Sequence, residues 1–211
     1  MTSYLVDILY FIAAGLLLPV LLVLFAFMAG TLFTLGGLAR EALERRRTRP
    51  AWRRFLADLR TGDASAEEFY EFPYGGYVEQ FRRQTAPFRG SALAVKKCLD
   101  DLEIDIARSM ARLSLATRVG PMLGLVGTLI PLGPALTGLA SGSLEVLAGN
   151  LIIAFTTTVF GILVGGFAYA VCLVRRAWYE QDLSDLEFLI AVRYCGEGQS
   201  LPLGSEESRL V

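Results

Sequence analysis

Three long uncharged blocks, separated by polar stretches, set the pattern of this chain. From Ile8 to Ala39 there are 32 residues without a charge. A helix rises about 1.5 Å per residue, so this run reaches roughly 48 Å against a hydrocarbon core of about 30 Å. It is expected to span a bilayer with length to spare, by tilting or by projecting past the interface. Residues 1–7 carry no positive charge, and the run is too long for the apolar core of a secretory leader, so it reads as an anchor. Val119 to Leu144 is a second uncharged block and Val146 to Val174 a third, with a small-residue turn, Ala140 to Glu145, between them.

The polar stretches also carry helical periodicity. Between Ser91 and Thr117, Val95, Leu99, Leu102, Ile106, Met110 and Leu113 recur every three or four residues, with Asp100, Asp101, Asp105 and Arg108 on other faces. That spacing predicts an amphipathic helix running into the second span. Phe69 to Phe88, rich in Tyr, Phe, Gly and Pro, reads as turns or short helices. After the third span, Leu183, Leu186, Leu189 and Ile190 make an apolar stripe on a helix from Trp178 to about Tyr194. The polar residues beyond are expected to be disordered. The fold class is an all-α integral membrane protein with three transmembrane helices and long cytoplasmic helical extensions. Its segments are a first span (1–39), a cytoplasmic helical region (40–118), a second span (119–144), a third span (145–174) and a cytoplasmic helix with a flexible tail (175–211).

Charge sharpens the picture and orients it. All 20 Lys and Arg lie in 40–118 or 175–211, and the other stretches hold only Asp7 and Glu145. Basic residues cluster after the first span (Arg40 onwards), before the second (Arg108, Arg112, Arg118) and after the third (Arg175, Arg176). The positive-inside rule then puts the N-terminus and the 139–146 turn outside, and 40–118 with the C-terminus in the cytoplasm. The expected location is a prokaryotic cytoplasmic (inner) membrane. The arginine run from Arg40 to Arg54 is interleaved with Glu41 and Glu44, which favours a flank facing lipid headgroups over a nucleic-acid site. Absence of His excludes imidazole metal sites and His-based acid–base chemistry. Cys98, Cys172 and Cys195 form no CxxC and read as structural thiols.

Polar groups within the second and third spans are few: Thr128, Thr137, Asn150, Thr156, Thr157 and Thr158. Neither span holds an Asp, Glu, Lys, Arg or His inside its uncharged block. An ion pathway needs a titratable or coordinating group, because a bare charge in hydrocarbon costs several kcal/mol. Either the chain conducts nothing or another chain brings the acid. Gly124 and Gly127 on the second span, and Gly161 and Gly165 on the third, allow another helix to approach closely and are assigned to subunit packing. Pro131 and Pro134 each remove a helix hydrogen bond in mid-span. Three spans cannot enclose a pathway alone, so any pore forms between subunits or around a partner.

The segment Gly124-Leu-Val-Gly-Thr128, the short turn, and Leu151-Ile-Ile-Ala-Phe-Thr-Thr-Thr158-Val-Phe-Gly161 resemble the core of the MotA/TolQ/ExbB proton-channel family. The one-span, long-loop, two-span layout is similar to its three-span TolQ/ExbB branch. The resemblance covers about 118–176 and implies a homo-pentamer whose second and third spans line a pore. It implies a single-span partner inside, a dimer similar to MotB, TolR or ExbD, supplying an intramembrane Asp. Thr128, Thr158 and Thr157 would then serve the ion pathway, and Pro131, Pro134, Asn150 and Ile153 would contact the partner helix or shape the pore. Ile153 stands where relatives of the ExbB type carry Glu, so this chain resembles a divergent member.

The function so implied is the channel or stator subunit of a two-component motor driven by ion-motive force. Proton flow would be coupled to rotation or force on the partner, without covalent catalysis and with no cofactor. The transported ion expected is H+. The competing reading is a non-conducting membrane scaffold that holds a partner protein.

Overall fold

The computed structural model describes residues 2–72 and 74–195. The polar tail that the sequence suggests is disordered lies outside the described residues. Every regular element among them is helical: α1 (Thr2–Thr61), a 3-10 turn (Ala66–Tyr70), α2 (Gly76–Thr85), a second 3-10 turn (Ala86–Phe88), α3 (Ala92–Ala140) and α4 (Leu144–Cys195). Three of these, α1, α3 and α4, are long and apolar enough to cross a membrane. Only 11 to 33% of their most apolar stretches is buried within the chain, so lipid or other helices must cover the rest. This is a multi-pass membrane protein.

Local chemistry explains where the helices stop. Gly62 follows α1 with φ +84°, the left-handed conformation that ends helices and that glycine adopts without a Cβ penalty. The Asp63 amide then turns back to the Asp58 carbonyl at 2.9 Å, while the Thr61 hydroxyl donates to Asp63 at 2.7 Å. Ser65 opens the first 3-10 turn with a capping box closed by Glu68. Between α3 and α4, Gly142 has φ +76° and the Ser143 amide reaches the Gly138 carbonyl at 2.8 Å. So short a connection makes the two helices antiparallel neighbours.

The chain divides into two compact units. One, the membrane unit, comprises the residues up to Leu38 with Ser109–Val174. Its interior is narrow: Leu24 and Thr31 of α1, Pro131 and Ala135 of α3, and Ala154, Thr157, Val164, Ala168 and Val171 of α4. Phe25 and Phe160 bring α1 against α4, with ring centroids 5.9 Å apart.

The other, the polar unit, comprises Ala39–Arg108 and the residues from Arg175 onward. Trp52, 1% exposed, is its centre, with the rings of Phe55, Phe69, Phe72 and Tyr74 around it. The α3 stripe buries Val95, Leu99, Leu102 and Ile106, and the α4 stripe buries Leu186, Leu189 and Ile190. Burying a side chain of this size contributes about 1.5–3 kcal/mol, so these stripes and the Trp52 cluster together carry the apolar core of the unit.

A charged pair is also buried there. Arg45 Nη1 donates to Asp182 Oδ1 at 2.9 Å and Nη2 donates to Oδ2, a bidentate pair. Arg45 Nε reaches Glu41 at 3.3 Å, Arg175 lies 3.3 Å from the other Glu41 oxygen, and the Arg45 guanidinium covers the Trp178 ring at 5.1 Å. Taking two charges out of water is costly unless their hydrogen bonds are well made, as they are here. Burial, reinforced by the charge of Asp182, pushes the Tyr74 hydroxyl up to about 12. Hydrogen bonds from Arg82, then burial acting the other way, then Arg83, set Glu79, whose carboxyl is lowered to about 2.

Candidate functional site

The seam between α3 and α4 is built from glycines. A Cβ added at Gly161 would stand 2.7 Å from the Gly124 Cα and 2.8 Å from the Gly120 carbonyl oxygen. One added at Gly124 would stand 3.1 Å from the Gly161 Cα and the Thr157 carbonyl oxygen, and one at Gly165 would meet Pro121 at 2.7 Å. Further along, Gly127 faces the Thr157 side chain and Gly138 faces Val146. Backbone therefore lies on backbone along much of the spans, which only residues without a side chain permit.

Four residues read from the sequence lie on this seam. Gly124, Gly127, Gly161 and Gly165 do permit close approach, but the helix that approaches belongs to the same chain. The sequence assigns them to subunit packing, and within one subunit they pack α3 on α4. By contrast, a Cβ at Gly149 or Gly166 would meet nothing within 4 Å.

The threonines divide in a similar way. Thr157 is 2% exposed, beneath Gly127, and its hydroxyl donates to the Ala154 carbonyl at 2.8 Å. Thr158 is half-buried and turns to the same carbonyl at a longer 3.3 Å. One carbonyl thus takes both, and the Thr158 proton is the less firmly held. Thr128, also half-buried, donates to the Leu125 carbonyl at 2.6 Å. The Thr158 Cα lies 3.5 Å from a Cβ placed at Gly124, and Thr128 is one turn along from Gly124. A hydroxyl that donates to its own helix keeps its lone pairs for another donor.

The remaining residues are dispersed. Pro131 is fully buried in the membrane unit, and Pro134 is half-buried. Both lie inside an α3 that remains helical. Their missing N–H groups leave the carbonyls of Gly127 and Ile130 without the usual helical donor. Asn150 donates to the Val146 carbonyl at 2.8 Å. Ile153 lines an apolar cavity of about 210 Å³ between α1 and α4, with Leu24, Phe25, Met28 and Phe160. Sequence reasoning missed this cavity, because the helix that supplies its other wall is far away in the chain.

The fold and the seam define a helical membrane protein in which two tightly joined spans carry hydroxyls but no Asp, Glu, Lys, Arg or His in their uncharged blocks. A model of the MotA/TolQ/ExbB proton channel family matches residues 82–187, about half of the chain and all of the α3–α4 seam. The chain belongs to that family. No curated protein and no solved structure gives a significant match.

Proposed function

We propose that the chain is the proton-conducting, force-generating subunit of a two-component device driven by ion-motive force in a prokaryotic cytoplasmic membrane. Five copies surround a dimer of a single-span partner, with α3 and α4 facing inward. The partner's helix carries the acid that the spans of this chain lack. The N-terminus and the 141–143 turn face outward and the polar unit faces the cytoplasm, in keeping with the arginines beside each polar end.

The observation that carries this reading is the α3–α4 glycine seam, whose uncharged spans bear Thr128 and Thr158 and hold no Asp, Glu, Lys, Arg or His, within the stretch matched by the family. The lightly held Thr158 hydroxyl and the lone pairs of Thr128 hydrogen-bond the partner's carboxyl group as it gains and loses its proton. The Gly127 and Ile130 carbonyls released by Pro131 and Pro134 offer further acceptors for water beside Thr128. Thr157 fills the seam and fixes the direction of Thr158, and the four glycines hold the two hydroxyls in register.

The test is proton flux in vesicles containing the chain and its partner. Thr128→Val and Thr158→Val, each nearly isosteric, are expected to abolish flux while the complex still assembles. Flux that survives both changes would refute the pathway. A complex that forms but never conducts would support the scaffold instead.

A further inference from the structure

The arginine run after the first span separates into two populations. Arg45 is turned inward and consumed by Asp182 and Glu41. Arg40 and Arg47 are exposed, and neither has a carboxylate partner among the described residues. Of the two acids nearby, one is committed elsewhere. Glu41 sits with Arg45 and Arg175. Glu44 is exposed and lies beside Gly75.

Arg40 and Arg47 are seven residues apart, two turns along one helix face and roughly 10 Å along its axis. Leu43 lies between them, 63% exposed, and the three line one open groove with Glu44 and Thr48. An exposed leucine flanked by two free guanidiniums suits an interface better than water. Arg40 is also the first charge after the 32 uncharged residues that end at Ala39, which sets the groove at the membrane surface. Long basic side chains there reach for phosphate while their stems stay on apolar surface.

We propose that Arg40, Leu43 and Arg47 form a binding site for an anionic phospholipid. The two guanidiniums take the headgroup phosphate, and Leu43 meets the start of the acyl chains. Charge complementarity selects this occupant: two guanidiniums against the single carboxylate of Glu44 leave the groove net positive, over an apolar floor. Arg53 and Arg54 are equally basic and exposed, but they lie roughly 20 Å beyond Ala39 along the helix and take no part.

The experiment uses the full chain purified in a neutral detergent. Phosphatidylglycerol or phosphatidylcholine is titrated in, and bound lipid is counted by native mass spectrometry. The expected result is a preference for phosphatidylglycerol that falls about 30-fold in R40Q/R47Q, at about 5-fold for each surface arginine, and is kept in R53Q/R54Q. Thermal unfolding without added lipid should be the same for both double variants, so that a loss of binding is not a loss of fold. Inorganic phosphate at millimolar concentration should not compete. Equal retention of the two lipids, equal losses in the two double variants, or full competition by phosphate would overturn the proposal.

Discussion

Gly161→Ala is the sharpest perturbation of the α3–α4 seam. The new methyl would meet the Gly124 Cα at 2.7 Å, the Gly120 carbonyl oxygen at 2.8 Å and the Gly124 amide nitrogen at 3.0 Å. All three are backbone atoms, so no side chain can swing aside and the helices must separate. A separation of about 0.5–1 Å forfeits a quarter to a half of each dispersion contact across the seam. Overpacking of this kind costs about 1–3 kcal/mol, against which alanine returns roughly 0.5–1 kcal/mol of helix propensity. With three backbone contacts the cost falls at the upper end, for a net loss of about 2 kcal/mol. For a chain of this size that is a fall in Tm of roughly 4–8 °C. Gly166→Ala is the matched control, because its methyl enters open space, and it should leave Tm unchanged or slightly raised. Thermal unfolding of the detergent-solubilised protein, followed by circular dichroism, measures both. Equal Tm values for the two variants would refute the claim that the glycines join α3 to α4.

Arg45→Gln should destabilise the polar unit by about 3–5 kcal/mol, because it strands the buried Asp182 carboxylate. Arg45→Met with Asp182→Leu should recover most of that loss in denaturant titration. The folded-state value of Glu79 is lowered to about 2 from an ordinary 4.5, so its contribution is present above about 4.5 and is lost as pH falls toward 2. Glu79→Gln should therefore lower stability by a constant amount above about pH 4.5 and flatten the acid limb below it, so that the two stability–pH profiles converge toward pH 2. Pro131→Ala restores an amide donor to the Gly127 carbonyl. It should reduce proton flux while leaving the complex intact, as read by flux and by size-exclusion chromatography in parallel.

The sequence announces some of this arrangement and hides the rest, for reasons that lie in helix geometry. Charges cannot sit cheaply in hydrocarbon, so the three spans stand out as uncharged blocks between Arg40 and its counterparts. The stripes through Leu102 and Leu186 show because a 3.6-residue period projects one face toward a core. What a helical pattern cannot give is which neighbour meets that face. Gly161 and Gly165 signal a close approach, yet only the register set by the turn at Gly142 reveals that the approaching helix is α3 of the same chain. Thr157 and Thr158 are adjacent in sequence, and their roughly 100° separation around the helix sends one into the seam and the other to its edge. Ile153 meets a cavity whose far wall is α1.

The Arg45–Asp182 pair spans 137 residues, so no local pattern links its ends. Its trace is present all the same. Asp182 falls in phase with Tyr179, Leu186 and Ile190, and Arg45 falls in phase with Trp52, so each charge stands on an otherwise apolar stripe. Opposite charges that interrupt two apolar stripes are the signal that would have found it.

The central claim is that α3 and α4 of several copies surround an acid supplied by another chain. It is tested most directly by a structure of the complex purified with the product of the neighbouring reading frame. Five copies around a single-span dimer, with Thr128 and Thr158 within hydrogen-bonding reach of the partner's intramembrane Asp, is the result this account predicts. A complex in which those hydroxyls face lipid, or in which no partner helix enters the ring, would contradict it.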